Sequence, residues 1–255
     1  MSGTIEIELA RECLYRLLAV AVSDPHDPAW PDRLPDDIDN LAGAAAALIR
    51  EEASVALGPL ARGELAPDAL QVDSLVAAIR GPAEEVRREH SRVFGFTPPR
   101  ECPPFETDFH ANAEPFFHSQ QMADVAGFYR AFGLNPPPGR PDHIVLELEF
   151  MAFLQMKKRL LRDDTESPNI ADALEVCAKA EIDFFRDHLT WWLPAFATGL
   201  QKRAGHGYYA DLGRALAAFV AAERRLLGVS VPRISLGTVA VERPEEAMEC
   251  AACSA

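Results

Sequence analysis

Two proline-rich segments in the middle of the chain set the main limit on its fold. The first, residues 95–109, contains two proline pairs, and the second, residues 133–139, contains three consecutive prolines. A proline ring clashes with the preceding helical turn and has no N–H to donate, so neither segment can continue a helix. The chain must therefore consist of separate helical segments that end and begin at these two loops.

Apolar residues recur at helical spacing on both sides of the loops. Leu9, Cys13 and Leu17 share one stripe within a predicted helix at residues 5–22, and an alanine-rich stretch favours another at residues 38–57. The same spacing predicts further helices at residues 69–79, 82–94, 119–132, 142–162, 169–185 and 208–227, and one around Trp191 and Trp192 that Pro194 interrupts or starts.

Strand-like composition is confined to residues 229–231 and 236–241. We therefore predict an all-α fold, a single-domain bundle of roughly nine or more helices over residues 1–228. Residues 229–255, which contain Cys250 and Cys253, are expected to form an extended or disordered tail.

Composition places the chain among globular proteins. It has 255 residues, 48% of them apolar, which is enough for a substantial core. It contains no apolar run of about 18 residues and no secretory signal at its start, so we expect a cytoplasmic location without stable membrane insertion. The net charge of −14, from 39 acidic and 25 basic residues, disfavours nucleic acid as a partner and suits a basic ligand.

The predicted helix start after the second proline-rich loop concentrates ionisable side chains. Pro141 suits a first helical turn, and Asp142 beside it complements the positive end of the helix dipole. By spacing alone, Glu147 and Glu149 flank the apolar stripe as solvated residues. His143 and Glu147 lie one turn apart, but two ligands fall short of a usual metal site.

No familiar catalytic motif occurs in the chain. Dinucleotide- and phosphate-binding glycine motifs, zinc-protease and serine-hydrolase motifs are all absent, and no glutamate lies three residues before a histidine as a di-iron bundle requires. Cys250 and Cys253 have metal or redox spacing, which leaves a metal- or redox-responsive protein as the alternative function. The five cysteines form an odd, sparse set that disfavours a disulfide framework. We predict no catalytic residue and no cofactor.

An apolar groove is predicted between the first proline-rich loop and the helix that begins near residue 142. The same aromatic residues would equally suit an ordinary core that anchors the loop, and a groove of this kind would also fit a small molecule. The phenylalanines around the loop are Phe94, Phe96, Phe105, Phe109, Phe116 and Phe117.

Three segments in fixed order carry a family resemblance. They are EHSRVFGFT at residues 89–97, CPPFETDF at residues 102–109, and MADVAGFYRAFGL at residues 122–134, which runs into PDHI and ELEFM at residues 141–144 and 147–151. The set resembles the redox-enzyme maturation chaperones of the TorD, DmsD and NarJ type. These sequence motifs are most similar to those of the subgroup that serves dimethyl sulfide and ethylbenzene dehydrogenases and selenate and chlorate reductases.

The resemblance implies an all-helical chaperone that binds the twin-arginine leader, or the unfolded body, of a molybdoenzyme catalytic subunit. Such a chaperone holds its client until the molybdenum cofactor is inserted and then releases it for export. The resemblance also implies where the peptide binds. The implied surface contains Asp142 and His143 together with Phe94, Pro104 and Phe105 of the first loop.

Charge and hydrogen bonding extend this predicted surface. Asp142, Glu147 and Glu149 would pair with the leader's arginines, and Glu106 adds a fourth acid beside the loop. His143 would make the affinity depend on pH near neutrality. The family often has tyrosine or tryptophan where this chain has phenylalanine at 105 and 109. We expect a monomer or homodimer, with residues 133–139 as a possible hinge for exchange between copies.

Overall fold

The fold is all-α, as predicted. A computed structural model describes residues 2–35, 37–55, 58–95, 99–111, 114–164 and 169–232. Over these residues it contains nine α-helices and no strand, and none of the helices is long and apolar enough to span a membrane. The helices are α1 Ser2–Val22, α2 Ile38–Val55, α3 Asp73–Arg80, α4 Ala83–Val93, α5 Pro115–Ala131, α6 Ile144–Asp163, α7 Ile170–Phe184, α8 Leu193–Ala204 and α9 Tyr208–Leu226.

Two sequence predictions fall outside the described residues. They are the tail beyond residue 232, with Cys250, Cys253 and the possible strand at 236–241, and the loop residue Phe96. Within the described part, residues 229–232 form no strand, and Val229 is held at the end of α9 by its N–H bond to the Arg224 carbonyl, at 2.9 Å.

Helix α9 lies at the centre of the core, with nearly all of its residues buried. Small residues make this possible because they let neighbouring helices approach closely. A Cβ atom at Gly213 would lie 2.7 Å from the Ala197 carbonyl oxygen of α8. Helix α8 therefore packs directly along α9, and α1 packs along α6 and α2.

A buried polar network joins four of the helices. Arg11 of α1 pairs with Glu223 of α9 at 2.5 Å and with Glu181 of α7, and Lys158 of α6 lies 2.6 Å from Glu181. The Tyr15 hydroxyl donates to Glu223 at 2.7 Å. Burial alone would lower the pKa of Arg11, but the charges of Glu223 and Glu181 hold it above its ordinary value. The network fixes α1, α6, α7 and α9 relative to one another.

A π-helical turn, Phe185–Leu189, connects α7 to the segment before α8. The Thr190 N–H reaches back five residues to the Phe185 carbonyl, at 3.0 Å. Such wide turns inside helices are uncommon and often lie at functional sites. Here the turn carries His188 and is followed by Trp191 and Trp192, all of them buried.

Helix α6 begins later than the sequence predicts. It starts at Ile144, and His143 is the capping residue, since its Nδ1 accepts the Val145 N–H at 3.2 Å. Pro141 and Asp142 form a turn before the helix, and His143 is extended and pairs with Phe105 in an isolated antiparallel bridge. The Glu106 N–H donates to the Asp142 carbonyl and the Ile144 N–H donates to the Pro104 carbonyl, both at 3.0 Å.

Candidate functional site

The buried Asp142 carboxylate organises the candidate site. It accepts hydrogen bonds from the Thr107 N–H at 3.1 Å, from the Thr107 hydroxyl at 2.7 Å, and from Arg140 at 2.8 and 2.9 Å. Burial would raise its pKa, but the bonds from Arg140 and Thr107 hold the pKa of Asp142 below its ordinary value. The aspartate is therefore charged and already neutralised within the molecule.

Arg140 links the buried Asp142 to the protein surface. Its guanidinium donates to Asp108 at 3.1 Å and lies 4.0 Å from the centre of the Phe105 ring. The Phe105 ring meets the His143 ring edge to face, with 5.1 Å between ring centres. Phe105 and His143, both half-buried, therefore form a surface stack that Arg140 and Asp142 hold in place.

His143 is neutral near pH 7 in this arrangement. Burial lowers its pKa, the charge of Asp142 offsets part of that effect, and Arg140 adds to it. Its Nδ1 must also remain unprotonated to accept the Val145 N–H. Any change of affinity caused by His143 titration is thus expected below neutral pH, not at neutrality.

Glu106 lies beneath the surface stack and is fully buried. Its carboxylate is 3.1 Å from Nδ1 of His188 and accepts the Trp191 indole N–H at 3.1 Å. Nε2 of His188 lies 3.4 Å from the exposed Asp124 of α5. Burial raises the pKa of Glu106, and its bonds to His188 and Trp191 oppose that rise. The π-helical turn and the residue that follows Thr190 thus hold the Glu106 carboxylate, and Asp124 of α5 lies beside His188.

Glu147 is not solvated, so the spacing-based interpretation was wrong for this residue. It is fully buried on α6, and neither carboxylate oxygen has a hydrogen-bond partner among the described residues. Burial, together with the charges of Glu106 and Asp142, raises the pKa of Glu147 well above its ordinary value. The helical stripe facing the core is wider than its apolar residues alone indicate.

We expect the Glu147→Gln substitution to stabilise the protein increasingly as the pH rises. Because the folded-state pKa of Glu147 is raised, the folded chain holds a proton that the unfolded chain releases above about pH 4.5, and the free energy of unfolding falls with rising pH. Glutamine removes this loss. Urea unfolding of both proteins between about pH 5 and about pH 8 checks the prediction. A stability difference that stays constant over that range would contradict it.

An open groove of about 350 Å³ lies along the second proline-rich loop. Its lining residues come from α5, the second proline-rich loop and α6, so it differs from the groove predicted between the first loop and α6. Glu149 is exposed at its edge and makes no ion pair in the part of the chain that the structure describes. The groove is lined by Tyr129, Leu134, Asn135, Pro136, Pro137, Leu146, Glu149, Phe150 and Phe153.

The groove and the surface stack are neighbours. The Tyr129 hydroxyl in the groove wall donates to the Pro141 carbonyl at 3.0 Å, and the Leu146 N–H donates to the His143 carbonyl at 2.9 Å. Burial raises the pKa of Glu149, while the charges of Arg33 and Arg16 lower it. One continuous surface therefore offers two aromatic rings, an apolar groove and an exposed carboxyl group.

Phe94 lies away from this surface. Its ring packs against Tyr209 of α9 at 5.3 Å and against His90 of α4 at 4.9 Å. The structure therefore brings together Pro104, Phe105, Glu106, Asp142, His143 and Glu147 and places Phe94 at a different contact.

Four residues that organise the site were missed in the sequence. They are Arg140, Thr107, His188 and Trp191. Arg140 could have been found, since it stands two residues before Asp142 in the chain. His188 and Trp191 gave no such signal, because more than 80 residues separate them from Glu106.

A close backbone approach sets the position of the first loop. A Cβ atom at Gly199 of α8 would lie 1.9 Å from the Glu101 carbonyl oxygen. Only glycine leaves room for the chain at this point, so residues 101–102 lie directly on α8. Cys102 is fully buried there, and the loop leads from this anchor to Pro104 and Phe105.

Comparison with known proteins gives a match that covers this site. The family model described as nitrate reductase delta subunit matches residues 63–198, just over half of the chain. The matched range contains both proline-rich loops, α6 and the π-helical turn. No solved structure matches the chain significantly.

Several curated proteins are similar to the chain over part of its length. The selenate reductase assembly chaperone protein of Thauera selenatis is 37% identical over 95 residues, which are 37% of this chain and 45% of that protein. The chlorate reductase assembly chaperone protein of Ideonella dechloratans is 36% identical over 111 residues, 42% of this chain and 53% of that protein. The chaperone protein TorD of Vibrio cholerae is 26% identical over 116 residues, which are 46% of this chain and 48% of that protein. The chain spans about half the length of the curated relatives it matches.

Proposed function

The chain belongs to the nitrate reductase delta subunit family, and from this premise we propose that it is an assembly chaperone for a molybdoenzyme catalytic subunit. In this proposal it binds the client's twin-arginine leader in the cytoplasm until the molybdenum cofactor is inserted. It acts without catalysis and without a cofactor of its own. Relatives described as assembly chaperones of selenate and chlorate reductases support the class of client.

The observation that carries the proposal is the groove beside Glu149. A twin-arginine leader combines adjacent arginines with an apolar stretch, so its receptor needs an apolar channel with negative charge at its edge. Leu146, Phe150 and Phe153 supply the apolar wall, and Glu149 supplies an exposed acid without an internal ion pair in the described structure. The net charge of −14 also attracts a basic peptide over longer range.

Residues of the predicted surface take two roles in this proposal. Pro104, Phe105 and His143 are half-buried and contact the peptide beside the groove. Asp142, Glu106 and Glu147 are fully buried, so they position these contacts from beneath. Phe94 packs against α9, and we assign it a structural role.

Calorimetric titration with the leader of a molybdoenzyme encoded beside this chain tests the proposal. We expect the Glu149→Lys substitution to weaken leader binding by about tenfold or more, because it replaces an attractive charge with a repulsive one at the groove edge. A second leader, with its two arginines changed to glutamine, should bind more weakly to the unmodified protein. It should also be much less sensitive to Glu149→Lys.

The matched control is Glu175→Lys on α7, which makes the same change of net charge at another exposed glutamate. It should alter the affinity only slightly. If both substitutions weaken binding equally, the peptide responds to the overall charge and the groove is not its site. If the unmodified protein binds neither leader, leader recognition is refuted.

A further inference from the structure

Three potential metal ligands converge where the turn after α1 meets α4. Asp24 and His26 lie in the turn after α1, and His90 lies on α4. Their ligand atoms all lie within 4.8 Å of one another, and no other group of three such residues occurs in the described ranges. The side chains of Asp24 and His26 are 60% and 46% exposed, so an ion can reach them.

The distances suit a small transition-metal ion. Bonds of about 2.0–2.1 Å in tetrahedral geometry place ligand atoms about 3.3 Å apart. Oδ1 of Asp24 lies 2.9 Å from Nδ1 of His26 and 3.9 Å from Nδ1 of His90. These values lie on either side of the required separation, and small side-chain rotations would equalise them.

A second feature points to the same nitrogen of His26. Its other ring nitrogen, Nε2, lies 3.4 Å from the hydroxyl oxygen of Ser91, the residue after His90 on α4. Histidines that bind metals through one nitrogen usually donate the N–H of the other to an oxygen nearby. Ser91 can accept that N–H, and Nδ1 of His26, which is hydrogen-bonded to Asp24 at 2.9 Å in the structure, can then bind an ion in place of that bond.

The framework around the three ligands is held firmly. Nε of Arg87 donates to the Pro25 carbonyl at 2.9 Å and ties the turn to α4. Glu89, next to His90, accepts the N–H groups of Tyr208 and Tyr209 at the start of α9, both at 3.0 Å. The backbone that carries the three ligands is therefore fixed before any ion binds, so that only side-chain rotations are needed, which lowers the entropic cost of binding.

We propose that Asp24, His26 and His90 form a binding site for a divalent transition-metal ion of the zinc class. Two imidazole nitrogens and one carboxylate oxygen are ligands that zinc accepts, and they leave a fourth position for water. The bound ion would join the turn after α1 to α4. Asp24 and His26 precede the range matched by the family model, and His90 lies within it. None of the three lines the groove beside Glu149, so this site is separate from that groove.

Zinc binding to the full chain tests the proposal. The protein is treated with a chelator, exchanged into metal-free buffer and titrated with zinc chloride by calorimetry. We expect one equivalent to bind, and we expect His26→Ala to weaken that binding by more than tenfold. Ser91→Ala should weaken it by about tenfold, as losses of such supporting oxygens do. Cobalt added in place of zinc should give visible absorption that His26→Ala removes.

Two controls separate this site from the rest of the chain. His118→Ala on α5 should leave zinc affinity unchanged, and a Cys250→Ser, Cys253→Ser variant should still bind one equivalent. Loss of all zinc binding in the cysteine variant, or unchanged affinity in its His26→Ala derivative, would overturn the proposal. His26 is exposed, and circular dichroism should show that its alanine variant is folded. Leader affinity should not change in that variant.

Discussion

The Glu223→Ala substitution is expected to lower the free energy of unfolding by about 3–5 kcal/mol. The carboxylate is completely buried and accepts bonds from both Arg11 and Tyr15. Its removal leaves a buried guanidinium with one carboxylate fewer and a buried hydroxyl without its acceptor. Urea unfolding followed by circular dichroism measures the change.

Two comparisons make this prediction specific. Glu175→Ala removes an exposed glutamate on α7 and should change stability by less than about 0.5 kcal/mol. Arg11→Met with Glu223→Leu removes both charges together and should be less destabilising than Glu223→Ala alone, because no unpaired charge stays buried. A loss of less than about 1 kcal/mol in Glu223→Ala would show that the network relaxes easily.

Asp142→Ala is expected to cost about 3 kcal/mol of stability and also to weaken leader binding. The substitution leaves the Thr107 N–H and hydroxyl and the Nε–H of Arg140 without their acceptor, while Nη2 of Arg140 keeps Asp108. Residues 104–108 would keep only their backbone hydrogen bonds to the start of α6, so Phe105 would be held less firmly. Urea unfolding and leader titration measure the two effects separately.

The His143→Ala substitution is compared with Asp142→Ala in the same two measurements. Because His143 is half-buried and contributes one cap bond, its loss should cost only about 1 kcal/mol. Leader binding should nevertheless weaken, since the residue is proposed to touch the peptide. If Asp142→Ala leaves stability unchanged, the buried pair is not what holds the loop. If His143→Ala leaves leader affinity unchanged, the surface stack is not part of the binding surface.

Local sequence pattern predicted the helices well. The predicted helix at 208–227 corresponds to Tyr208–Leu226, and the one at 82–94 corresponds to Ala83–Val93. Helical periodicity and proline placement act over a few residues, so a single sequence contains the information needed. The start of α6 was predicted wrongly because a contact with residues 104–106, more than 30 positions earlier, keeps His143 extended.

Whether each acidic residue is buried or exposed could not be predicted from the local sequence pattern. Glu147 and Glu149 are two positions apart on one helix, yet the first is buried and the second exposed. Which of them faces the core depends on the neighbours that α6 acquires, among them Glu106. The groove beside Glu149 was not predicted for the same reason, since both loops are rich in proline and only packing decides which of them lines a groove.

The π-helical turn makes the length of one segment as important as its composition. Glu181 is fixed by Arg11 and Lys158 on one side of the turn, and Trp191 is fixed by Glu106 on the other. Deleting one residue between them would restore an ordinary helix and rotate everything that follows by about 100°. Trp191 could then no longer reach Glu106 while Glu181 kept its partners. Homologous chains that retain this site should therefore vary in side chains between these positions but carry no insertion or deletion there.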